Sequence, residues 1–290
     1  MTATPTIAQA LARAQSSGLN RHAVRCLVLQ ALEREPDETA WLLAHDQDAL
    51  PAAAALRLES ALRRLRAGEP LAYITGSVAF YGLRLRVDAR VLIPRPDTET
   101  LVDWALALLP PAGRVRPSVL DLGTGSGAIA LAVRQARPDV RVTGVDASAE
   151  ALEVACANAR RLGLMVDFRL GDWLIGETAR YNLIAANPPY IAEGDPHLPG
   201  LTHEPLRALT AGDQGLDDLR RIVAQAPGCL QTGGWLVLEH GFDQGPAVRA
   251  LLDSAPWSQV QTRRDLAGHE RCTAAQRAPD GGQSEFTAKK

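Results

Sequence analysis

Two stretches of the sequence carry residue types that could do chemistry. The first is Asn187-Pro188-Pro189-Tyr190. It follows the apolar run Tyr181-Asn182-Leu183-Ile184-Ala185-Ala186, which reads as a buried strand. The stretch therefore falls at a strand's carboxyl end, where open α/β sheets place their chemistry. Two consecutive prolines have no backbone N–H to donate and cannot continue a sheet. Each fixes φ and pushes the residue before it to an extended conformation. The result is a stiff bend that offers acceptor groups from a rigid base. The second stretch is Gly123-x-Gly125-x-Gly127, between a predicted strand and a predicted helix. Its spacing differs from the GxGxxG fingerprint that holds a pyrophosphate, and a tight turn without a ligand is the plain alternative. Asp146 ends the next predicted strand, where a carboxylate can accept both hydroxyls of a ribose. Asp172 ends the third and can accept from an adenine amino group; Trp173 can pack on the purine face. Together these residues fit an adenosine. The lack of a P-loop lysine favours one without a polyphosphate.

The elements that must position these residues follow an alternating plan. Strands are expected over 118–122, 141–146, 166–170, 181–186 and 235–239, and helices over 128–137, 148–162, 216–230 and 246–252. Ser148 is the expected cap of the second helix. Two weaker strands near 257–264 and 270–276 finish the sheet. Such alternation implies a mostly parallel sheet covered on both faces. Upstream, only helical spacing is visible: Ile7, Leu11 and Ala14; Val24, Leu27, Val28, Ala31 and Leu32 with Asn20 as cap; Trp41 to Leu43; then Leu58, Leu62 and Leu65, ended by Gly68. Arg63, Arg64 and Arg66 read as a solvated face, with a partner face as the alternative. Between the two regions, Leu83, Leu85 and Val87 alternate with Arg84 and Arg86, and Val91-Leu92-Ile93 follows as a second short strand. A β-hairpin linker fits. Asp97 or Thr98 is expected to cap the helix that carries Leu101, Val102 and Ala105. The expected organisation is a helical docking domain over 1–75, a hairpin linker over 76–95, a catalytic domain over 96–277 and a disordered polar tail over 278–290.

Composition argues against several classes. Hydrophobic residues make up 46% and charged residues 22%, with no apolar run long enough for a transmembrane helix. No secretory signal is apparent. The four cysteines, Cys26, Cys156, Cys229 and Cys272, are far apart with no CxxC pair, which predicts reduced thiols in a cytoplasmic protein and no structural zinc. The six histidines are scattered, and no metal site is expected. A net charge of -2 is a poor match for a clamp on a long nucleic acid.

Val119-Leu120-Asp121-Leu122-Gly123-Thr124-Gly125-Ser126-Gly127 resembles the first motif of the S-adenosylmethionine-dependent methyltransferases with a Rossmann-like fold. The resemblance implies a class I methyltransferase sheet of the α/β type, with the all-helical domain and hairpin in front of it. It implies S-adenosyl-L-methionine as cofactor, held by Gly123, Thr124, Gly125, Ser126, Gly127, Asp146, Asp172, Trp173 and Asn187. Methyl transfer from a sulfonium is an in-line displacement, so positioning supplies most of the gain. A planar nitrogen is a poor nucleophile because its lone pair is delocalised. The Asn187 side-chain oxygen and the Pro188 carbonyl, taking both N–H protons, would orient it and favour the positive charge that develops. Tyr190 can cover the plane by stacking. The bend leaves the acceptor open: an adenine in DNA, a guanine in ribosomal RNA, or a glutamine in protein.

The flanking segments narrow the choice. Glu69-Pro70-Leu71-Ala72-Tyr73-Ile74, Leu92-Ile93-Pro94-Arg95-Pro96-Asp97-Thr98-Glu99, Glu204-Pro205-x-x-Ala208-Leu209, Gly212-x-x-Gly215-Leu216-Asp217 and Asp265-Leu266-Ala267-Gly268-His269-Glu270-Arg271 resemble the HemK/PrmC family. Its members are N5-glutamine methyltransferases of class 1 peptide chain release factors, acting on the glutamine of a Gly-Gly-Gln loop. The resemblance implies catalytic roles for Asn187, Pro188 and Tyr190. It implies a glutamine pocket of Asn187, Pro188, Pro189, Tyr190 and Leu92, and a helical domain that docks the release factor. A monomer is expected, with no stable nucleic-acid or membrane partner. His240 departs from the family's apolar residue and receives no role. A relative that methylates a ribosomal-protein glutamine differs around 94–99. A nucleic-acid amino-methyltransferase would need a basic groove and a base-flipping domain. A non-catalytic binding protein would show a degraded bend or loop. The tail tripeptide Gly281-Gly282-Gln283 reads as chance, with a pseudosubstrate as the alternative.

Overall fold

Strand formation follows the apolar runs. In the computed structural model, which describes residues 4–113 and 116–279, the runs ending at Leu122 and Ala186 lie side by side at the centre of one sheet. The chain divides into two compact units, Met1–Ser77 and Val78–Lys290. The first is helical: α1 (Ile7–Gln15), α2 (Arg21–Ala31), α3 (Thr39–Ala44), α4 (Ala52–Arg66) and α5 (Leu71–Thr75). Asn20 caps α2 as its type predicts, its side chain accepting from the His22 and Ala23 N–H groups. Ile7, Val24, Leu27, Val28, Leu58 and Leu62 meet in one apolar core. The five-residue α5 has no sequence counterpart above, because a single turn shows no periodicity. Gln30 Nε2, donating to the Ile74 carbonyl at 2.9 Å, ties it to α2.

The hairpin forms one strand earlier than the sequence suggests. β1 (Ser77–Phe80) pairs with β2 (Leu83–Arg86) across Tyr81 and Gly82. Both turn residues have positive φ, 48° and 72°, the pairing that matches strand twist in a two-residue turn. Val91-Leu92-Ile93 is not a strand. The Ile93 N–H, which a strand would need, goes instead to the Glu204 carboxylate at 3.1 Å, and Pro94 has none to give.

The second unit continues with α6 (Thr98–Leu108), β3 (Ser118–Leu122), α7 (Ala128–Ala136), β4 (Arg141–Asp146), α8 (Ala149–Leu162), β5 (Asp167–Leu170) and β6 (Tyr181–Ala186). Two short 3-10 turns (Leu198–Leu201 and Leu206–Ala208) precede α9 (Asp217–Cys229), β7 (Leu230–Glu239), α10 (Gly245–Leu251), β8 (Trp257–Arg264) and β9 (Glu270–Arg277). The seven strands lie in the order β5-β4-β3-β6-β7-β9-β8. Those from β5 to β7 are parallel, and β9 runs antiparallel to both its neighbours. Successive residues alternate between two cores: Leu183 and Ala185 join α6 and α7, while Ile184 and Ala186 join α9 and α10. Both faces are therefore covered, as a parallel sheet requires. The chain leaves β3 toward one edge and returns through β6 toward the other. That reversal opens a crevice at the carboxyl ends of β3 and β6. Among the described residues, no helix is long and apolar enough to cross a membrane. The tripeptide Gly281-Gly282-Gln283 lies outside the described residues.

Candidate active site

The glycine loop leaves β3 and the proline bend leaves β6, so neighbouring strands bring the two stretches together. A cavity of about 250 Å³ is lined by Gly123, Gly125, Asp146, Asp172, Trp173 and Asn187, with Pro189 and Leu92 also on its wall. Gly123 has φ +68°, and a Cβ there would sit 3.3 Å from the Trp173 ring. Only glycine gives both the backbone angle and the close approach of the indole. The Trp173 Nε1 donates to Asp218 on α9 at 2.9 Å, which fixes the ring. The Asp146 carboxylate is held from two sides. Gly125 N donates to Oδ2 and Ser148 N to Oδ1, both at 2.8 Å. Each oxygen keeps a further lone pair for a ligand. Asp172 is paired with Arg221 at 2.6 Å.

Thr124, Ser126 and Gly127 do not line this cavity. The Thr124 hydroxyl donates to Asp121 at 2.6 Å, and the Ser126 carbonyl accepts from Asn158 at 3.0 Å. Gly127 packs near Leu131 and Phe168. These three residues shape the loop from behind. Asp121 is fully buried with one oxygen unpartnered, and burial pushes its carboxyl up to about 7. A concave site with a fixed indole, a preset carboxylate and close glycine backbone fits an adenosine-bearing cofactor.

A second cavity of about 340 Å³ adjoins the first, lined by Leu92, Arg95, Pro188 and Tyr190 among others. The two share Leu92, Asn187 and Ala208, so Asn187 stands at their common wall. Asn187 Nδ2 donates to the Thr98 hydroxyl at 3.1 Å. The Tyr190 hydroxyl donates to Glu239 Oε1 at 3.4 Å, and burial pushes its phenol above the usual range. Glu239 is fully enclosed, and burial raises its carboxyl to about 7.

Thr98 and Glu239 carry no role in the sequence reading. A signal existed for Glu239: a carboxylate ending the apolar run Leu236-Val237-Leu238 at a strand's carboxyl end. Thr98 was expected as a possible helix cap. Asp97 occupies that position, but its side chain makes no capping bond and lies 3.5 Å from Arg271. The quoted flanks of the second unit gather around the bend. Glu204 holds Ile93 and Arg95, and Arg271 is held by Asp265 at 3.0 Å. Gly215 lies against the Tyr190 carbonyl, where a Cβ would come within 2.1 Å. His240 is a satisfied core residue. Its ring nitrogens bond Gly241 O and Thr273 Oγ1, both at 2.9 Å, and burial lowers its pKa.

Comparison with known proteins decides the family. Residues 6–76 match the PrmC N-terminal domain and residues 101–204 the Methyltransferase small domain. A release factor glutamine methyltransferase from Bordetella pertussis is 51% identical over 88% of this chain and 94% of its own length. The chain belongs to the release factor glutamine methyltransferase family. A member from Xylella fastidiosa is 46% identical over 91% of this chain and 96% of its own. A crystal structure of a methyltransferase from Pyrococcus furiosus superposes with a TM-score of 0.53 at 16% identity, over 76% of this chain and 100% of the other; this likeness is one of fold. As a member of the release factor glutamine methyltransferase family, the chain is an enzyme that uses S-adenosylmethionine.

Proposed function

We propose that this chain transfers a methyl group from S-adenosylmethionine to the side-chain amide nitrogen, N5, of the glutamine in the Gly-Gly-Gln loop of class 1 peptide chain release factors. The observation that carries the reading is Asn187 at the wall between two cavities, one fit for an adenosine and the other beside Pro188 and Tyr190. The protein substrate is supported by the names of the relatives. The helical unit docks that substrate, and the enzyme acts as a cytoplasmic monomer.

In the first cavity, Asp146 holds the ribose hydroxyls and Asp172 and Trp173 the adenine. Gly123 and Gly125 let the backbone approach the methionine portion, and Thr124, Ser126 and Gly127 set the loop's shape. When bound, S-adenosylmethionine supplies an electrophilic methyl group. In the second cavity, the Asn187 oxygen and the Pro188 carbonyl accept the two N–H groups of the glutamine amide. That fixes the direction of the nitrogen lone pair. The same acceptors favour positive charge on the nitrogen in the transition state. Leu92 and Tyr190 cover the amide plane and exclude water. No general base is needed before attack, because the two acceptors hold the protons until the nitrogen has become acidic.

The test is incubation with methyl-labelled cofactor, purified release factor and duplex DNA together. Label should enter the release factor and vanish when the loop glutamine is changed to alanine. Label on DNA alone, or on the alanine variant of the release factor, overturns the reading.

A further inference from the structure

We infer that Phe242 and Leu266 form an apolar anchor at the rim of the acceptor site, one that grips apolar side chains of the release factor beside its Gly-Gly-Gln loop. The inference rests on the reading of the second cavity as the glutamine pocket. Phe242 is 63% exposed and Leu266 105%, so neither finds cover within the chain. A single exposed leucine needs no explanation, whereas an apolar pair at the edge of a binding site does. The two belong to one patch. The Phe242 and His269 rings lie 5.8 Å apart, and His269 shares a turn with Leu266.

Sheet register places this patch beside the chemistry. β7 runs parallel to β6, so its carboxyl end lies on the same edge of the sheet as the proline bend. Glu239, the last residue of β7, pairs with Cys272 near the start of β9, and Arg264 at the end of β8 pairs with Glu270. The 241–244 turn after β7 and the 265–269 turn between β8 and β9 therefore both open on that edge. Gln244 Nε2 donates to the Tyr190 carbonyl at 2.9 Å, which joins the first turn to the bend. With about 4.8 Å between strands, β9 lies about 10 Å from β6 and β8 about 15 Å. An ordinary protein interface covers about 800 Å² of each partner, a disc of about 16 Å radius. A release factor with its glutamine in the second cavity and an interface of that size reaches both turns.

The exposure of Leu266 is built into its turn. Asp265, with its side chain 1% exposed, accepts through one oxygen from Ala267 N at 3.0 Å and His269 N at 2.9 Å. Its other oxygen accepts from Arg271 Nε at 3.1 Å and Nη2 at 3.0 Å. Arg271 also donates to the His240 carbonyl at 3.3 Å, which ties this turn to the one that carries Phe242. A leucine on a turn held this firmly gives up little freedom when a partner covers it, so its burial goes into affinity. The anchor carries no carboxylate or cation of its own, and its complement is apolar surface.

The experiment measures steady-state methylation of the release factor, thermal melts and binding for Leu266→Asp, Leu266→Met and Phe242→Ala. Binding is read by calorimetry against a release factor whose loop glutamine is changed to alanine. Leu266→Asp should raise both KM for the release factor and the Kd of its alanine form roughly tenfold, with kcat and cofactor Kd changed less than about twofold. Phe242→Ala should act in the same direction. Leu266→Met keeps the apolar surface and should stay within about twofold of wild type. The Tm of Leu266→Asp should match that of the wild-type enzyme. An unchanged KM in Leu266→Asp overturns the inference and leaves the methylation reaction standing. So does a KM that rises while the Kd of the alanine form stays put, since the anchor acts whether or not the glutamine is present. A lowered Tm would mean that Leu266 packs within the chain and overturns it too. A second copy of the chain on the patch would show in sedimentation as a wild-type dimer that Leu266→Asp separates with KM unmoved, and it likewise overturns the inference. A wild-type enzyme that does not methylate the release factor would instead remove the proposed function, so the two failures are told apart.

Discussion

Glu204 accepts the backbone N–H of Ile93 at 3.1 Å and pairs through its other oxygen with Arg95. Its side chain is only 3% exposed, so the bond to Ile93 is sheltered from water. This carboxylate fixes the irregular segment that carries Leu92, a residue on the wall of both cavities. Glu204→Ala leaves the Ile93 N–H without its partner and should cost about 2 kcal/mol of stability. Released, Leu92 no longer closes the acceptor cavity, so KM for the release factor should rise. Glu204→Gln keeps the bond to Ile93 and loses the charge pair, and should fall between. Thermal melts and steady-state kinetics check this; an alanine variant with unchanged Tm would refute it.

Gly215 offers a second handle on the bend. Its φ of +66° disfavours any side chain, and a Cβ would lie 2.1 Å from the Tyr190 carbonyl oxygen. That oxygen also accepts from Gln244 Nε2 at 2.9 Å. Gly215→Ala must therefore push the Tyr190 backbone out of place, at a cost of roughly 1–3 kcal/mol. The cofactor loop lies on a different strand end. The variant should lose turnover and keep its cofactor affinity. Equal losses in both, read by kinetics and calorimetry, would show that the two cavities are not independently supported.

The sheet was legible because its strands are apolar runs between turn signals. The runs ending at Leu122, Asp146 and Ala186 fall within a residue or two of the strands observed. The hairpin was misplaced because Ser77-Val78-Ala79-Phe80 does not alternate cleanly, whereas Val91-Leu92-Ile93 looks like a strand. Only the distant Glu204 explains why the latter is not one, and a contact across 111 positions leaves no local mark. The same limit applies at the site. Asp146 and Trp173 are recognisable from their places after predicted strands. The bonds from Asn187 to Thr98 and from Tyr190 to Glu239 join the bend to two other elements and are visible only once these are folded.

Asp146 should serve the cofactor far more than the protein substrate. Both its oxygens already accept a backbone N–H at 2.8 Å, from Gly125 and from Ser148. An amide has one accepting end, so Asp146→Asn sets an NH2 against one of those donors. The glycine loop then shifts, and the charged acceptor for the ribose is lost. With hydrogen bonds to a charged group worth about 1.5–3 kcal/mol each, cofactor Kd should rise at least about tenfold. KM for the release factor, measured at saturating cofactor, should change little. A large rise in that KM with cofactor Kd unmoved would reassign the residue.

Asp121 should make the enzyme less stable as pH rises through neutrality. Burial lifts its carboxyl from an ordinary 3.8 to about 7, against hydrogen bonds from Thr124 and Ala130 that lower it. The folded value lies above the unfolded one, so between about 4 and 7 the native state holds a proton that the unfolded chain has released. Stability from this group is therefore full below about pH 4 and is lost as pH climbs to about 7. Asp121→Asn removes the titration. Its amide oxygen can take both existing hydrogen bonds, and its nitrogen replaces an oxygen that has no partner. Between pH 5 and pH 8 the wild-type enzyme should lose about 2–3 kcal/mol more than the variant. Glu239, also raised to about 7 by burial, leaves a residual slope of the same sign in both proteins. Urea melts at pH 5, 6, 7 and 8 measure the difference, and parallel curves for the two proteins would mean that Asp121 does not change its charge on folding in this range.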